Sequence, residues 1–371
     1  MKTTKQHIIF LSTPQSWRGG ENQLKNLILH LSKENLSLTL LCPENSNFSK
    51  EKIEHLKIIA VKNTLFSWLK TLKKIRNDHH EQLFHANDSK AHSILVLFNF
   101  FKKTPFILHR RVAFKKNKNW LTRYKYQHPQ LKHVIFISKK IQKENLPITH
   151  KDRQSLIYSS INIDLFLKKQ KQKENLKNYH KIFKISKNKK IIANFSALAP
   201  DKDHETYIIA IKNLLKTNPE IHALIIGTGF EKNNIISLIK SHKLEQHITL
   251  TGFRNDVANI LKFIDIFVIT SKEEGLGSSI LEAFLSKCPV VACNAGGIPE
   301  LVKHNKTGLL CPIKSPLKIA KNINYLLQNP NIASKLCLNA YTFATKMNSK
   351  EMTKKTIKIY ENVFNEIKTN I

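Results

Sequence analysis

Short apolar runs alternate with helical stretches along most of this chain, and that alternation restricts its folds more than any other feature. Runs at 7–12, 38–43, 82–86, 106–110, 133–138 and 155–159 carry the strand pattern in the first half, with helical spacing at 21–32 and 66–75. The pattern restarts with strands at 190–196, 222–227, 248–253, 265–271 and 289–293, separated by helices at 205–216, 234–242, 257–263 and 279–287. Strand–helix alternation with both sheet faces covered predicts parallel sheets, and two restarts predict two doubly wound, Rossmann-like α/β domains. A length of 371 residues suits that division. The expected boundaries are a first domain at 1–167, a lysine-rich linker at 168–189, a second domain at 190–345 and a closing amphipathic segment at 346–371.

Composition removes several classes. With 41% hydrophobic residues the chain can bury two cores. No apolar run reaches the roughly 18 residues a bilayer requires; the nearest, 94–101, is broken by Asn99. The polar start leading directly into a strand lacks a signal-peptide pattern, so the expected location is the cytoplasm. The five cysteines form no CxxC pair and are expected to be buried, reduced thiols, without a zinc site. A formal charge of +34 raises the question of nucleic acid. Only seven of the 61 basic residues are arginine, they accompany no nucleic-acid motif, and nucleic acid is not the expected partner.

Glycine is scarce. The chain holds ten, against roughly 26 for ordinary usage, and eight lie between 227 and 308. Because each follows a strand or sits in a loop, the set is expected to outline a ligand-facing edge at the carboxyl ends of the strands.

Four constellations lie on that edge. Gly19-Gly20-Glu21 opens a helix after the first strand, where free amides and the helix dipole favour an anion. Lys202, in Ala197-Leu198-Ala199-Pro200-Asp201-Lys202-Asp203-His204, follows the first strand of the second domain and can counter a pyrophosphate. Asp201-x-Asp203 also spells a DxD string, but helix capping by Asp203 is the expected role and no metal is expected. Glu274-Gly275-Leu276-Gly277-Ser278-Ser279-Ile280-Leu281-Glu282 joins a strand to a helix, its amides at Gly277, Ser278 and Ser279 forming an anion cradle. Ser279-x-x-Glu282 also fits a capping box, the plainer role for Glu282 taken alone; the two glutamates eight apart around a glycine-bearing helix start favour ligand binding instead. Gly296-Gly297-Ile298-Pro299-Glu300 and Thr307-Gly308-Leu309 complete the series.

At these residues the chain resembles the family-four glycosyltransferases of the GT-B fold. Glu274 to Glu282 matches their E-x7-E signature, and the likeness extends from about Ile191 to Pro312, with Gly19-Gly20-Glu21 and Ile161 to Phe166 in order before it. The resemblance implies two Rossmann-like domains facing across a cleft, a final helix crossing back to the first domain, and metal-independent, retaining transfer from a UDP-, GDP- or ADP-sugar. In the roles it implies, Glu274 binds the donor sugar's hydroxyls and Glu282 the ribose hydroxyls. Lys202 holds the diphosphate, helped by Gly19, Gly20 and the amides near Ser278. Arg254 and Asn255 contact the base, and His109 meets the reacting sugar; no separate cofactor is implied. The chain departs from the pattern at Ala197, where an arginine is common. Bacterial relatives build lipopolysaccharide and other surface glycans, so a glycan or lipid-linked acceptor is expected.

Between 101 and 133 stand ten Lys or Arg residues and no acid, interleaved with Phe106, Phe114, Trp120, Tyr124 and Tyr126. That stretch reads either as a peripheral contact with the anionic inner face of the cytoplasmic membrane or as a solvated lysine-rich surface. A nucleotide-sugar epimerase of the same fold and a basic nucleic-acid-binding protein are the alternatives for the whole chain.

Overall fold

The computed structural model describes residues 5–17, 19–76, 81–100, 102–112, 119–145, 148–171 and 179–369. The chain divides into two compact units, Met1–Ser160 with Ser349–Ile371, and Ile161–Asn348.

In the first unit the strands are β1 (His7–Leu11), β2 (Ser37–Pro43), β3 (Leu56–Val61), β4 (Gln82–Ala86), β5 (Phe106–Arg110), β6 (Leu131–Phe136) and β7 (Gln154–Leu156). Between them run α1 (Gly19–Leu31), α2 (Leu65–Ile75), α3 (Ser89–Phe98), α4 (Trp120–Gln127) and α5 (Lys139–Asn145). The sheet is parallel, in the order β3-β2-β1-β4-β5-β6-β7. Four of the five residues of His-Ile-Ile-Phe-Leu in β1 are buried, as a central parallel strand covered on both faces requires. Leu24, Leu27, Ile28 and Leu31 of α1 repeat at helical spacing and join Phe10 and Leu40 in one core. Burying each such side chain stabilises the unit by roughly 1.5–3 kcal/mol.

The second unit contains α6 (Ile163–Lys171), α7 (Tyr179–Phe183), β8 (Lys190–Phe195), α8 (His204–Leu215), β9 (Ile221–Ile226), α9 (Lys232–Ser241), β10 (Ile248–Gly252) and α10 (Val257–Phe263). It continues through β11 (Ile266–Ile269), α11 (Ser278–Leu285), β12 (Val290–Cys293), α12 (Ile298–Leu301), β13 (Leu309–Cys311), α13 (Pro316–Gln328) and α14 (Pro330–Ala344). Its parallel sheet runs β10-β9-β8-β11-β12-β13. Tyr207, Ile208, Ile211 and Leu214 of α8 pack with Ile192, Ile225 and Val268 beneath them. The last helix, α15 (Ser349–Thr369), belongs to the first unit, where Met352, Ile359, Tyr360, Val363 and Phe364 enter the core of α1 and the sheet.

Several expected outlines change. The passage expected as a linker at 168–189 holds the end of α6 and all of α7, and residues 172–178 lie outside the described ones. These helices are packed: Gln170 Nε2 donates to the Ala258 carbonyl at 2.9 Å and to Ser286 Oγ at 2.8 Å, and Tyr179 stacks on Phe183. Lysine-rich exteriors hid the apolar side of each. β3 was not expected; it is an edge strand whose Lys57 and Ala60 are exposed, which breaks the buried-strand pattern. β13, not expected, spans only three residues, too short for a periodic signal, and the strand expected at 155–159 is the three-residue β7. Among the described residues no helix is long and apolar enough to cross a membrane. The five cysteines are free and buried.

Candidate active site

Each sheet reverses its strand order at one place, beside β1 and β4 in the first unit and beside β8 and β11 in the second. Ligands of open α/β sheets sit at the carboxyl ends of the strands at such a switch point. The loops carrying Lys202 and Glu274 leave β8 and β11, the two strands that meet there.

The structure brings these two residues together. Lys202 Nζ lies 2.9 Å from Glu274 Oε2 and 3.0 Å from Asp201 Oδ2, with the Lys202 and Glu274 side chains 17% and 18% exposed. Ser271 Oγ donates to the same Glu274 oxygen at 3.1 Å. Burial alone would lower Lys202; the carboxylates of Glu274 and Asp201 outweigh it and hold the ammonium above the usual lysine range. Burial, then the nearby Lys202 charge, pushes His204 down to about 4. Asp201 was noted in the sequence only as part of a DxD string, not as a partner of Lys202, and Ser271 was not singled out.

Glycines shape this site from behind. A Cβ on Gly296 would stand 1.8 Å from the Glu274 carbonyl oxygen, and Gly297 N donates to that oxygen at 3.0 Å. A Cβ on Gly229 would stand 2.2 Å from the Leu198 carbonyl oxygen. These glycines let one loop lie against the next, so they support the Glu274 and Lys202 loops.

The capping expected of Asp203 is corrected, and the capping box weighed for Glu282 does not form. α11 begins at Ser278, its N-cap is Gly277 with φ 84°, and no side chain caps it. Gly277 occupies the cap, so the Ser279–Glu282 box does not form, and the first amides, at Ser278 and Ser279, lack helical partners. Asp203 precedes α8 with φ 52° and makes no side-chain cap bond; its Oδ2 accepts from Thr206 Oγ1 at 2.9 Å. Burial of the half-buried Glu282 pushes its carboxyl up to about 7, with the Lys169 charge opposing.

Arg254 is committed elsewhere. Its Nε donates to Asp256 Oδ1 at 2.8 Å and its Nη2 to Asp256 Oδ2, its guanidinium lies 5.7 Å from the Phe183 ring centre, and Tyr179 Oη donates to Asp256 at 3.1 Å. The Asp256 hydrogen bond holds Arg254 above its ordinary range. Asn255 beside it is exposed.

In the first unit, Gly19 and Gly20 form the first turn of α1; Arg18 lies outside the described residues. Arg111 packs against that turn, its Cδ 3.3 Å from where a Gly20 Cβ would stand, and its Nε and Nη2 donate to Asn87 Oδ1 at 3.2 and 3.0 Å. Burial lowers Arg111 to about 10, against the Glu21 and Asp88 carboxylates. His109, near the end of β5, is 2% exposed and hydrogen-bonded to His85 at 3.1 Å. His85 and Arg111 were not anticipated; the β4–β5 register, with His85 opposite Ile107, puts His85 and His109 on the same sheet face, and no local pattern carries that register.

The basic, aromatic stretch also sorts itself. Phe106 and Tyr126 are buried, and Phe101 and Phe114 lie outside the described residues. Trp120, at 73%, and Tyr124 are exposed, joined by Phe100 and Leu121, and the Phe100 and Tyr124 rings stack at 6.2 Å.

Residues 163–343 match the family model described as glycosyl transferases group 1. The N-acetyl-alpha-D-glucosaminyl L-malate synthase of Bacillus anthracis is 26% identical over 183 residues, 49% of this chain and 46% of that one. The O-antigen biosynthesis glycosyltransferase WclY of Escherichia coli is 27% identical over 51% of this chain and 52% of its own. The chain thus spans about half the length of these curated relatives. Among solved structures, Anabaena Alr3699/HepE, in complex with UDP and glucose, superposes with a TM-score of 0.82 over 95% of this chain and 98% of that one; at 20% identity the likeness is one of fold.

Proposed function

From the match of residues 163–343 to the group 1 glycosyl transferases we propose that the protein transfers a sugar, with retention, from a nucleotide-sugar to a glycan or lipid-linked acceptor in surface-polysaccharide synthesis. The observation that carries this reading is the Lys202–Glu274 pair at the β8–β11 switch point. A cation and a carboxylate side by side suit a ligand with a diphosphate next to a polyol. Lys202 takes the diphosphate as negative charge develops on the leaving group, and Glu274 accepts from the sugar hydroxyls. The unpaired amides at Ser278 and Ser279 add fixed positive potential at the start of α11. Glu282 holds the ribose hydroxyls.

No divalent ion is needed in this scheme, because Lys202 and the helix start supply the positive charge. The Asp201 and Asp203 carboxylates face Lys202 and Lys272, at 3.0 and 4.0 Å. The base is left to Asn255, since Arg254 keeps its fork on Asp256. In the first unit, Gly19 and Gly20 admit an anionic group to the start of α1, and His109 touches a sugar. No side chain serves as nucleophile; the donor phosphate accepts the acceptor's proton as the new bond forms on the same face. The names of WclY and HepE support the glycan class and a uridine nucleotide, respectively. The exposed Phe100, Trp120, Leu121 and Tyr124, among Lys102, Lys103 and Arg123, favour peripheral contact with an anionic membrane on the cytoplasmic side.

The decisive experiment is a panel of UDP-, GDP- and ADP-sugars. Thermal stabilisation by one of them and by its free nucleoside diphosphate, followed by retained anomeric configuration in the product, supports the reading. Stabilisation by none of them, or by oligonucleotides alone, overturns it.

A further inference from the structure

Tyr360, His85 and His109 form a hydrogen-bonded row inside the first unit. The Tyr360 hydroxyl lies 2.7 Å from His85 Nδ1, and His85 Nε2 lies 3.1 Å from His109 Nδ1. The imidazoles stack with centroids 5.1 Å apart, Tyr360 meets His85 edge-on at 5.9 Å, and Phe10 lies 5.2 Å from His85. None of the three is more than 2% exposed. They come from α15, β4 and β5, which fixes the row from three separate elements.

We propose that Tyr360 and His85 are positioning residues that lock His109 in the Nε2–H form, so that its outward nitrogen can only donate a hydrogen bond to a sugar oxygen and cannot serve as a base. The argument is one of proton accounting. Burial holds the Tyr360 hydroxyl well above its ordinary range, so it keeps its hydrogen. Burial, reinforced by the Arg111 charge, lowers His85 to about 3 and His109 well below the imidazole range, the latter with help from His85. Arg111, itself near Glu21 and Asp88, is the charged group facing the row.

Each of the three therefore carries one hydrogen. The phenol donates to His85 Nδ1, its only acceptor among the described residues. His85 must then hold its hydrogen on Nε2 and donate it to His109 Nδ1. His109 Nδ1 is occupied as an acceptor, and its hydrogen sits on Nε2. Run the other way, the row leaves the phenol hydrogen without an acceptor in a sealed place, which buried hydroxyls avoid. His109 Nε2 is not among the sealed polar atoms. A fixed donor there holds a hydroxyl or ring oxygen without removing a proton, and this use rests on the proposed role of His109 at the sugar.

The test is nitrogen NMR of the full-length protein labelled in histidine. The expected result is an Nε2–H pattern for His109 that does not change between pH 6 and 8. In Tyr360→Phe the donor at the head of the row is gone, and His109 is expected to populate both neutral forms, with kcat falling roughly tenfold and donor KM little changed. A hydrogen on His109 Nδ1 in the wild type, or an unaltered pattern in Tyr360→Phe, overturns the proposal. Should Tyr360→Phe fail to fold, His109→Gln and His109→Leu decide: the glutamine keeps an N–H donor and most activity, the leucine loses it. Equal loss in both overturns the donor role. Full activity in both removes His109 from the sugar, while the NMR result still stands or falls by itself.

Discussion

Lys202 Nζ and Glu274 Oε2 are 2.9 Å apart, so the two side chains assigned to the diphosphate and to the sugar bind each other. A diphosphate that engages Lys202 must compete with Glu274. Glu274→Gln is therefore expected to tighten binding of the free nucleoside diphosphate by about three- to tenfold while reducing transfer at least a hundredfold. Lys202→Ala is expected to weaken both. Titration calorimetry with the nucleotide, set beside kcat/KM, separates the two; weaker nucleotide binding in Glu274→Gln would remove the competition.

Gly296 is expected to be nearly intolerant of change. An added Cβ would stand 1.8 Å from the backbone oxygen of Glu274, and φ is 52°. Neither backbone can yield without moving the Glu274 loop, so Gly296→Ala should cost several kcal/mol, on the order of 3 or more. Gly252, with φ 72° and nothing within 4 Å of its added Cβ, is the control; Gly252→Ala should cost only about 1 kcal/mol. Denaturant melts of the two variants give the comparison, and equal costs would show that the loops are not packed as described.

Glu282 should make stability fall as pH rises. Burial lifts its carboxyl from the ordinary 4.5 to about 7 in the folded chain. Between those values the folded protein holds a proton that the unfolded chain has released, so the slope of unfolding free energy against pH is negative there. The penalty is complete above about pH 7. Glu282→Gln removes it, and the variant should gain roughly 1–3 kcal/mol on the wild type between pH 4.5 and 8. Melts at those two pH values check this, and a constant difference would place Glu282 in solvent.

The sequence showed what depends on periodicity and on glycine. The central strands were legible from their apolar runs, the Glu274 loop and α11 from the glycines at 275 and 277 that follow one such run, and the Lys202 loop, which holds no glycine, from its place directly after the run at 190–196. It did not show which polar atoms meet. Lys202 was read only as the partner of a diphosphate, and it is paired with Glu274 from a loop 72 residues away; Arg254 was read as a base contact, and Asp256, two residues on, holds its fork. Pairing across strands depends on register, which no local pattern encodes. His85 and Tyr360 were invisible for the same reason, being 275 residues apart. Of the aromatic residues between 101 and 133, alternation should have buried Phe106, while α4 decided that Tyr126 faces inward and Trp120 and Tyr124 outward.

That outward face carries the final prediction. Trp120 is 73% exposed and Phe100 66%, and Tyr124 stacks on Phe100. Lys102, Lys103 and Arg123 are exposed near them in the sequence, and 101–133 contains no acid. Aromatic rings insert at the headgroup level, and cations add about 1 kcal/mol each near an anionic surface, so neither set suffices alone. The protein is expected to sediment with vesicles containing phosphatidylglycerol and to stay in solution with pure phosphatidylcholine, and binding should weaken as salt is raised. Trp120→Ser and Phe100→Ser should each lower vesicle binding by about tenfold, ~1.4 kcal/mol, because each removes an inserted ring. Phe230, 75% exposed and carried by the second unit, is the control, and Phe230→Ser should leave binding unchanged. If all three serine variants bind equally well, attraction is carried by the general positive charge and the aromatic face has no part in it.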